Sequence, residues 1–232
     1  MMQLIPIAYA HNGLPEKFGV PRQSGLSPSL RTSIVFEAPY GSAEALRGLD
    51  AYSHLWLIWG FHAVSAENGS RHLTVRPPRL GGNTRVGVFA TRSPFRPNPL
   101  GLSCVKLEEI RPAGTAFQLI VSGADLMDKT PIYDIKPYLP YADAHPEAQG
   151  SFGEENKNRR LKVELPEETA ALFSLQERET LAELLSLDPR PAYQHDPDRL
   201  YGIRFAGANV RFTVRDGTLS VISVNREEPG PV

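Results

Sequence analysis

Residues 52–62 read YSHLWLIWGFH. Apolar and aromatic side chains run through it without helical spacing, and the apolar part, Leu55 to Phe61, is far short of the ~20 residues a membrane-spanning helix needs. It reads as a β-strand buried on both faces or nearly so. Outward from it the chain offers more short strands between turn signals. LIPIAY (4–9) and RTSIVFE (31–37) precede it, and RVGVF (85–89), LGLSCVKLEE (100–109) and TAFQLIVS (115–122) follow. GSAEALRGL (41–49) reads as one or two helical turns ending at Gly48. Residues 11–29 and 123–141 have loop composition. Helical periodicity is scarce before about residue 165. The prediction over 4–145 is therefore a mostly β domain, a barrel or sandwich.

The last third has a different texture. LKVEL (161–165) is a strand candidate, and Pro166 suits the first position of a helix. Ser174 and Glu177 fit a capping box for a helix running to about Leu187, with Leu181, Leu184 and Leu185 on one face. Asp188-Pro189-Arg190-Pro191 stops it. Residues 201–205, 209–215 and 218–224 read as strands, the last two joined as a hairpin at Asp216-Gly217. A small α+β domain over 150–226 is expected, with a frayed tail, EEPGPV.

Composition sets the outer bounds. The chain has 232 residues, 41% hydrophobic and 22% charged, with a net charge of −1, which suits a soluble globular protein and excludes a disordered one. The N-terminal apolar stretch has no basic residues before it, so no secretory leader is expected and the cytoplasm is the predicted compartment. The lone Cys104 excludes an intrachain disulfide framework and an all-cysteine metal site; it falls in a strand, where a core position is expected. No His/Asp/Glu grouping has metal-ligand spacing, so no metal is expected. Neither a dinucleotide glycine fingerprint nor a Gly-x-Ser-x-Gly elbow is present.

The neutral total hides a charge asymmetry. No acidic residue lies between Glu67 and Glu108, a stretch carrying Arg71, Arg76, Arg79, Arg85, Arg92, Arg96 and Lys106. Over 142–198 thirteen acidic residues face six basic ones, a net of −7. The Arg-rich middle suits a phosphate-rich partner, or else pairs with the acidic segment. Within the loops, Asp134 and Lys136 flank one apolar residue and point the same way in an extended segment. They suit acid/base work or a structural ion pair. Arg92 and Arg96 suit a carboxylate or phosphate, or brace their own loop.

Several segments carry a family resemblance. PRQSG (21–25), FH (61–62), RPPRLGG (76–82), GVFATRSPFRPNPLGLS (87–103), DLMDKTPIYDIKPYLPY (125–141) and DPRPAY (188–193) together resemble the TsaA-like family, over about residues 4–225. The resemblance implies a TsaA-like β-barrel followed by a small α+β domain. It implies an S-adenosyl-L-methionine-dependent tRNA methyltransferase acting on the exocyclic nitrogen of threonylcarbamoyl-adenosine, 3′ of the anticodon of threonine tRNA. A homodimer is implied too. By the same resemblance Pro21, Arg22, Gln23, His62, Ala63, Arg92, Leu102, Lys129, Thr130, Pro131 and Ile132 bind the donor, and Asp134 and Lys136 sit at the reaction centre. Lys129 stands where the family more usually has Gly, which argues against a positive φ there. The rival readings are a methyltransferase for another RNA or a small molecule, and a non-catalytic nucleic-acid-binding barrel.

Overall fold

A computed structural model describes residues 3–63, 73–77, 84–150, 160–190, 194 and 196–226. Arg71, Arg79, Gly81-Gly82, Pro191 and the tail 227–232 lie outside them. Six antiparallel strands close into a barrel in the order β1-β2-β7-β6-β3-β8. They are β1 (Ala8–His11), β2 (Arg31–Phe36), β3 (His54–Gly60), β6 (Leu100–Ala113), β7 (Ala116–Ser122) and β8 (Pro131–Pro137). The short pair β4 (Thr74–Val75) and β5 (Val86–Gly87) stands apart as its own ribbon. The expected strand over 85–89 thus shrinks to two residues outside the barrel.

The barrel core follows the pleat. Leu55, Leu57 and Trp59 of β3 are buried inward with Ala8, Ala10 and Ile34. Trp56 and Ile58 alternate with them on the outer face and are only half-buried, so β3 is covered unequally rather than on both faces. Cys104 pairs across the sheet with Trp56 on that outer face and is half-buried, not in the core as expected. Gly101 lies opposite Trp59, and a Cβ there would overlap the indole. Its missing side chain lets the ring lie across the neighbouring strand, where Trp59 Nε1–H donates to Ser103 Oγ at 2.9 Å.

Two other expectations change. GSAEALRGL forms hydrogen-bonded turns, and a single 3-10 turn, Leu49–Ala51, begins after Gly48, where the helical turns are expected to end. The 123–141 segment contains β8, the strand that closes the barrel by pairing with both β1 and β3. Its Pro131 and Pro137 sit at the strand's two ends, where a missing N–H is tolerated, and this is why the composition reads as loop. The turn into β8 holds Lys129 at φ +63, against the expectation from its side chain. The cause is external: Lys129 N–H donates to Ala10 O at 2.7 Å and Asp128 N–H to Leu14 O at 2.8 Å, which fixes the backbone whatever residue occupies it.

After a short helix α1 (Pro140–Asp143), the C-terminal unit forms a sheet in the order β10-β11-β12-β9. Its strands are β9 (Lys162–Glu164), β10 (Tyr201–Phe205), β11 (Ala208–Arg215) and β12 (Thr218–Arg226). Helix α2 (Glu167–Ala170) takes Pro166 as its N-cap, one residue outside the predicted position. Helix α3 (Leu175–Ser186) opens on the predicted capping box of Ser174 and Glu177. Its Leu181, Leu184 and Leu185 are buried, as the spacing predicts.

The second core also recruits the N-terminal loop. Leu14 and Leu30, which flank the Gly/Pro/Ser-rich connection between β1 and β2, are buried in it, and Phe18 and Val20 pack against it. One carboxylate oxygen of Glu183 on α3 accepts from Ser27 Oγ at 2.8 Å, Ser29 N at 3.1 Å and Ser29 Oγ at 2.5 Å. Thr180 Oγ1 and Gln176 Nε2 donate to Ser29 O at 3.1 and 2.8 Å. Glu183→Ala strands the Ser27 and Ser29 donors and is expected to lower unfolding stability by about 2 kcal/mol in urea titration. Lys129→Gly relieves the left-handed strain and is expected to raise stability by about 1 kcal/mol at most, since glycine also loosens the unfolded chain.

Candidate functional site

A cavity of about 1490 Å³ opens between the outer face of β3 and β6, the loop 17–23, the loop 91–96 and the turn 187–190 that follows α3. Its wall is the outward half of the pleat: Trp56 and Ile58 from β3 and Leu102 from β6. Trp56 is fixed in place because its Nε1–H donates to Asp143 Oδ2 at 3.0 Å, an oxygen that also accepts from Leu139 N at 2.8 Å. These two donors hold the Asp143 carboxyl below the usual range.

Most of the residues singled out in the sequence meet here. Pro21, Arg22, Gln23, His62, Ala63, Arg92, Leu102 and Thr130 all line the cavity. Arg92 donates to Gln23 Oε1, linking the ATRS segment to the PRQ loop. Arg96 braces its own loop, donating to Thr91 O at 3.1 Å. Thr130 Oγ1 lies 3.5 Å from His62 Nδ1. Partial burial lowers the His62 pKa below the ordinary imidazole value, against the raising pull of Asp128.

Other expected residues fall outside the cavity lining. Lys129 shapes the turn, and Pro131 and Ile132 are buried in β8, where Ile132 belongs to the barrel core. Asp134 and Lys136 form an exposed ion pair, Nζ to Oδ2 at 2.9 Å, with Asp134 Oδ1 accepting from Ile135 N at 2.9 Å. They stand directly across from Ile58 and Trp56 on the same outer face, at the edge of the cavity rather than in it.

The structure adds residues that sequence reasoning passed over. Asp125 faces the cavity and accepts from Ser103 Oγ, the hydroxyl that Trp59 Nε1–H donates to. Because the indole can only donate, the Ser103 proton is directed at the carboxylate. Burial raises the Asp125 pKa above the ordinary range, against the opposing pull of Ser103, main-chain N–H groups and the Arg92 guanidinium. The available signal was its place at the head of the DLMDKTP block. Asp188 and Arg190 also line the cavity, paired to each other through Nε–Oδ1 at 2.8 Å and an NH2–Oδ2 bond at 3.0 Å.

The electrostatics follow from this inventory. Lys17, Arg22, Arg76, Arg92, Arg96 and Arg190 line the cavity against two carboxylates, Asp125 and Asp188. Asp188 is committed to Arg190, which leaves Asp125 as the carboxylate facing the space. Among the described residues no ion pair joins the Arg-rich middle to the acidic 142–198 segment. The site thus combines an aromatic and aliphatic wall for a planar ring, cations for anionic groups, and one half-buried carboxylate for a cation.

Residues 9–144 match the tRNA-methyltransferase O N-terminal domain, and residues 158–227 match the TrmO C-terminal domain. The tRNA (adenine(37)-N6)-methyltransferase of Escherichia coli K12 is 43% identical over 217 residues, spanning 90% of this chain and 92% of its own. A Pseudomonas aeruginosa protein named, provisionally, S-adenosylmethionine-dependent methyltransferase RcsF is 42% identical over 215 residues, 89% of this chain and 90% of its own. The crystal structure of TrmO from Pseudomonas aeruginosa superposes with a TM-score of 0.77 at 33% identity, covering 97% of this chain and 99% of that one. On both its barrel and its C-terminal unit, the chain belongs to the tRNA-methyltransferase O family.

Proposed function

We propose that this protein transfers a methyl group from S-adenosyl-L-methionine to N6 of adenine 37 of tRNA, the acceptor being the threonylcarbamoyl-adenosine of threonine tRNA. The observation that carries the reading is the convergence of the PRQ loop, His62, Arg92, Leu102 and Thr130 on one cavity that also holds a half-buried carboxylate. The donor supplies an activated methyl on a sulfonium cation. The cavity's residues suit it: Asp125 offers the anionic partner for positive charge, the Trp56 wall suits a planar base, and Arg22 and Arg92 suit a carboxylate. The division of labour follows the two units, with the barrel, 4–145, carrying the donor site and the 150–226 domain bracing it.

Methyl transfer is an in-line displacement, so alignment of nucleophile, carbon and sulfur supplies much of the rate. The acceptor nitrogen is conjugated to adenine and to a carbonyl and must lose its proton to attack. Asp134, at the cavity edge and free of the core, takes that proton, and Lys136 beside it or Arg92 offsets the developing negative charge. Arg96, or Arg92, pairs with the threonyl carboxylate. The Arg-rich middle holds anticodon-loop phosphates. Exposed Phe89 suits a homodimer contact, and the cytoplasm is the compartment where the tRNA is met.

The decisive assay is methyl transfer from labelled donor to threonine tRNA prepared with and without the threonylcarbamoyl group, read by nucleoside mass. Product is expected from the modified tRNA alone; donor binding without transfer to either tRNA would refute the acceptor. Asp134→Asn is expected to lower kcat by roughly 10²-fold or more with donor affinity unchanged. Retained turnover in that variant would remove Asp134 from the proton's path.

A further inference from the structure

The loop that carries Pro21, Arg22 and Gln23 has almost no structure of its own. Between Lys17 and Ser27 its main-chain bonds are Val20 N to Lys17 O at 3.4 Å and Gly25 N to Gly123 O at 2.8 Å. Gly19 and Gly25 hold positive φ, at +98 and +80. A segment built this way takes its shape from what it touches. It touches the barrel, where Gly25 N–H donates to Gly123 O and Ser24 N–H to the Asp125 carboxylate, and it touches the C-terminal unit, where Gly19 lies against Ile203 and Phe18 and Val20 pack on the second core.

The contact nearest the cavity is the most specific. Arg22 donates through one terminal nitrogen to Asp188 O at 2.9 Å and to Arg190 O at 3.0 Å. Those carbonyls converge because the turn is bent by its own ion pair. Asp188 sits at φ +53, a conformation that L residues other than Asn and Asp seldom adopt. Arg190, only 8% exposed, grips the Asp188 carboxylate with two bonds and locks that bend. Beyond Arg22 the chain of contacts continues into the cavity. Gln23 Nε2 donates to Arg22 O at 2.5 Å, and Gln23 Oε1 accepts from Arg92.

We propose that the Asp188–Arg190 turn is a positioning element of the donor site, by which the C-terminal unit sets the Arg22–Gln23–Arg92 geometry from outside the barrel. The proposal rests on the donor reading above. Asp188 and Arg190 act through Arg22. A donor seated on that loop therefore senses the C-terminal unit, and by reciprocity its binding tightens the contact between the two units.

The test uses the full-length protein and two substitutions at one position. Asp188→Ala removes the carboxylate and disfavours the positive φ; Asp188→Asn tolerates that φ and keeps an acceptor for Arg190. Donor affinity is measured by titration calorimetry with S-adenosyl-L-methionine, and protection of residues 18–26 by hydrogen exchange without ligand. Asp188→Ala is expected to weaken donor binding about tenfold, the weight of one charge-assisted contact, and to raise the donor KM with kcat at saturation unchanged. Exchange should quicken over residues 18–26, and Asp188→Asn should restore most of both signals. If Asp188→Ala lowers Tm alone and leaves donor affinity and loop exchange as in the parent, the turn is a staple between units and the proposal fails. If the parent protein binds no donor, the donor reading falls, and unchanged exchange over 18–26 would still refute the positioning role by itself. Arg190→Lys, which keeps the charge and loses the fork, serves should Asp188→Ala fold poorly, with weaker donor binding expected and unchanged affinity counting against the proposal.

Discussion

The seam between β1 and β8 is the constraint on which the rest depends. It is short, with Ala8 opposite Ile132 and Tyr9 opposite Pro131, and it is all that closes the barrel. Ile7 N and Ala10 N donate across it to Ile132 O and Thr130 O at 2.8 and 2.9 Å, and Lys129 N returns a bond to Ala10 O. Closure removes the open edges of the sheet and forces each strand to present one face inward. Small residues, Ala8 and Ala10, sit inside on the seam strand, while Trp59 brings the bulk from β3 and is accommodated by Gly101.

The site is a by-product of that inward demand. Because Leu55, Leu57 and Trp59 are taken by the core, Trp56 and Ile58 are left to the outside, where they become the cavity wall. The same alternation on β6 puts Ser103 inward beneath Trp59 and Leu102 outward. Ser103 then connects the core to the cavity by donating to Asp125. Loops supply the remaining chemistry: the 91–96 loop is braced by its own hydrogen bonds, and the 17–23 loop takes part of its shape from packing against the second body.

What the sequence disclosed and what it withheld divide along a physical line. Local signals were legible: the Ser174/Glu177 capping box, the leucine spacing of α3, and the strands rich in aromatic and β-branched residues. Signals that depend on distant partners were not. β8 hid behind two prolines because its strand character comes from β1 and β3, and Lys129 took a left-handed turn because Ala10 and Leu14 carbonyls hold it there. At the site, segment resemblance located the PRQ loop and Arg92. The roles of Asp125 and Arg190 required knowing that their segments, far apart in sequence, share one cavity.

The burial of Leu14 and Leu30 in the C-terminal core bears on how the chain comes off the ribosome. The partners of this loop, Glu183 and Thr180 among them, are separated from it by about 150 positions, as with the 154 between Ser29 and Glu183. At synthesis rates of roughly 5–20 residues per second, the loop waits many seconds for its partners to emerge. The loop is thus packed only after α3 has been made. A barrel in that interval carries two unburied leucines and an unshaped 17–23 loop, so the cavity gains its full lining only once the C-terminal unit is made.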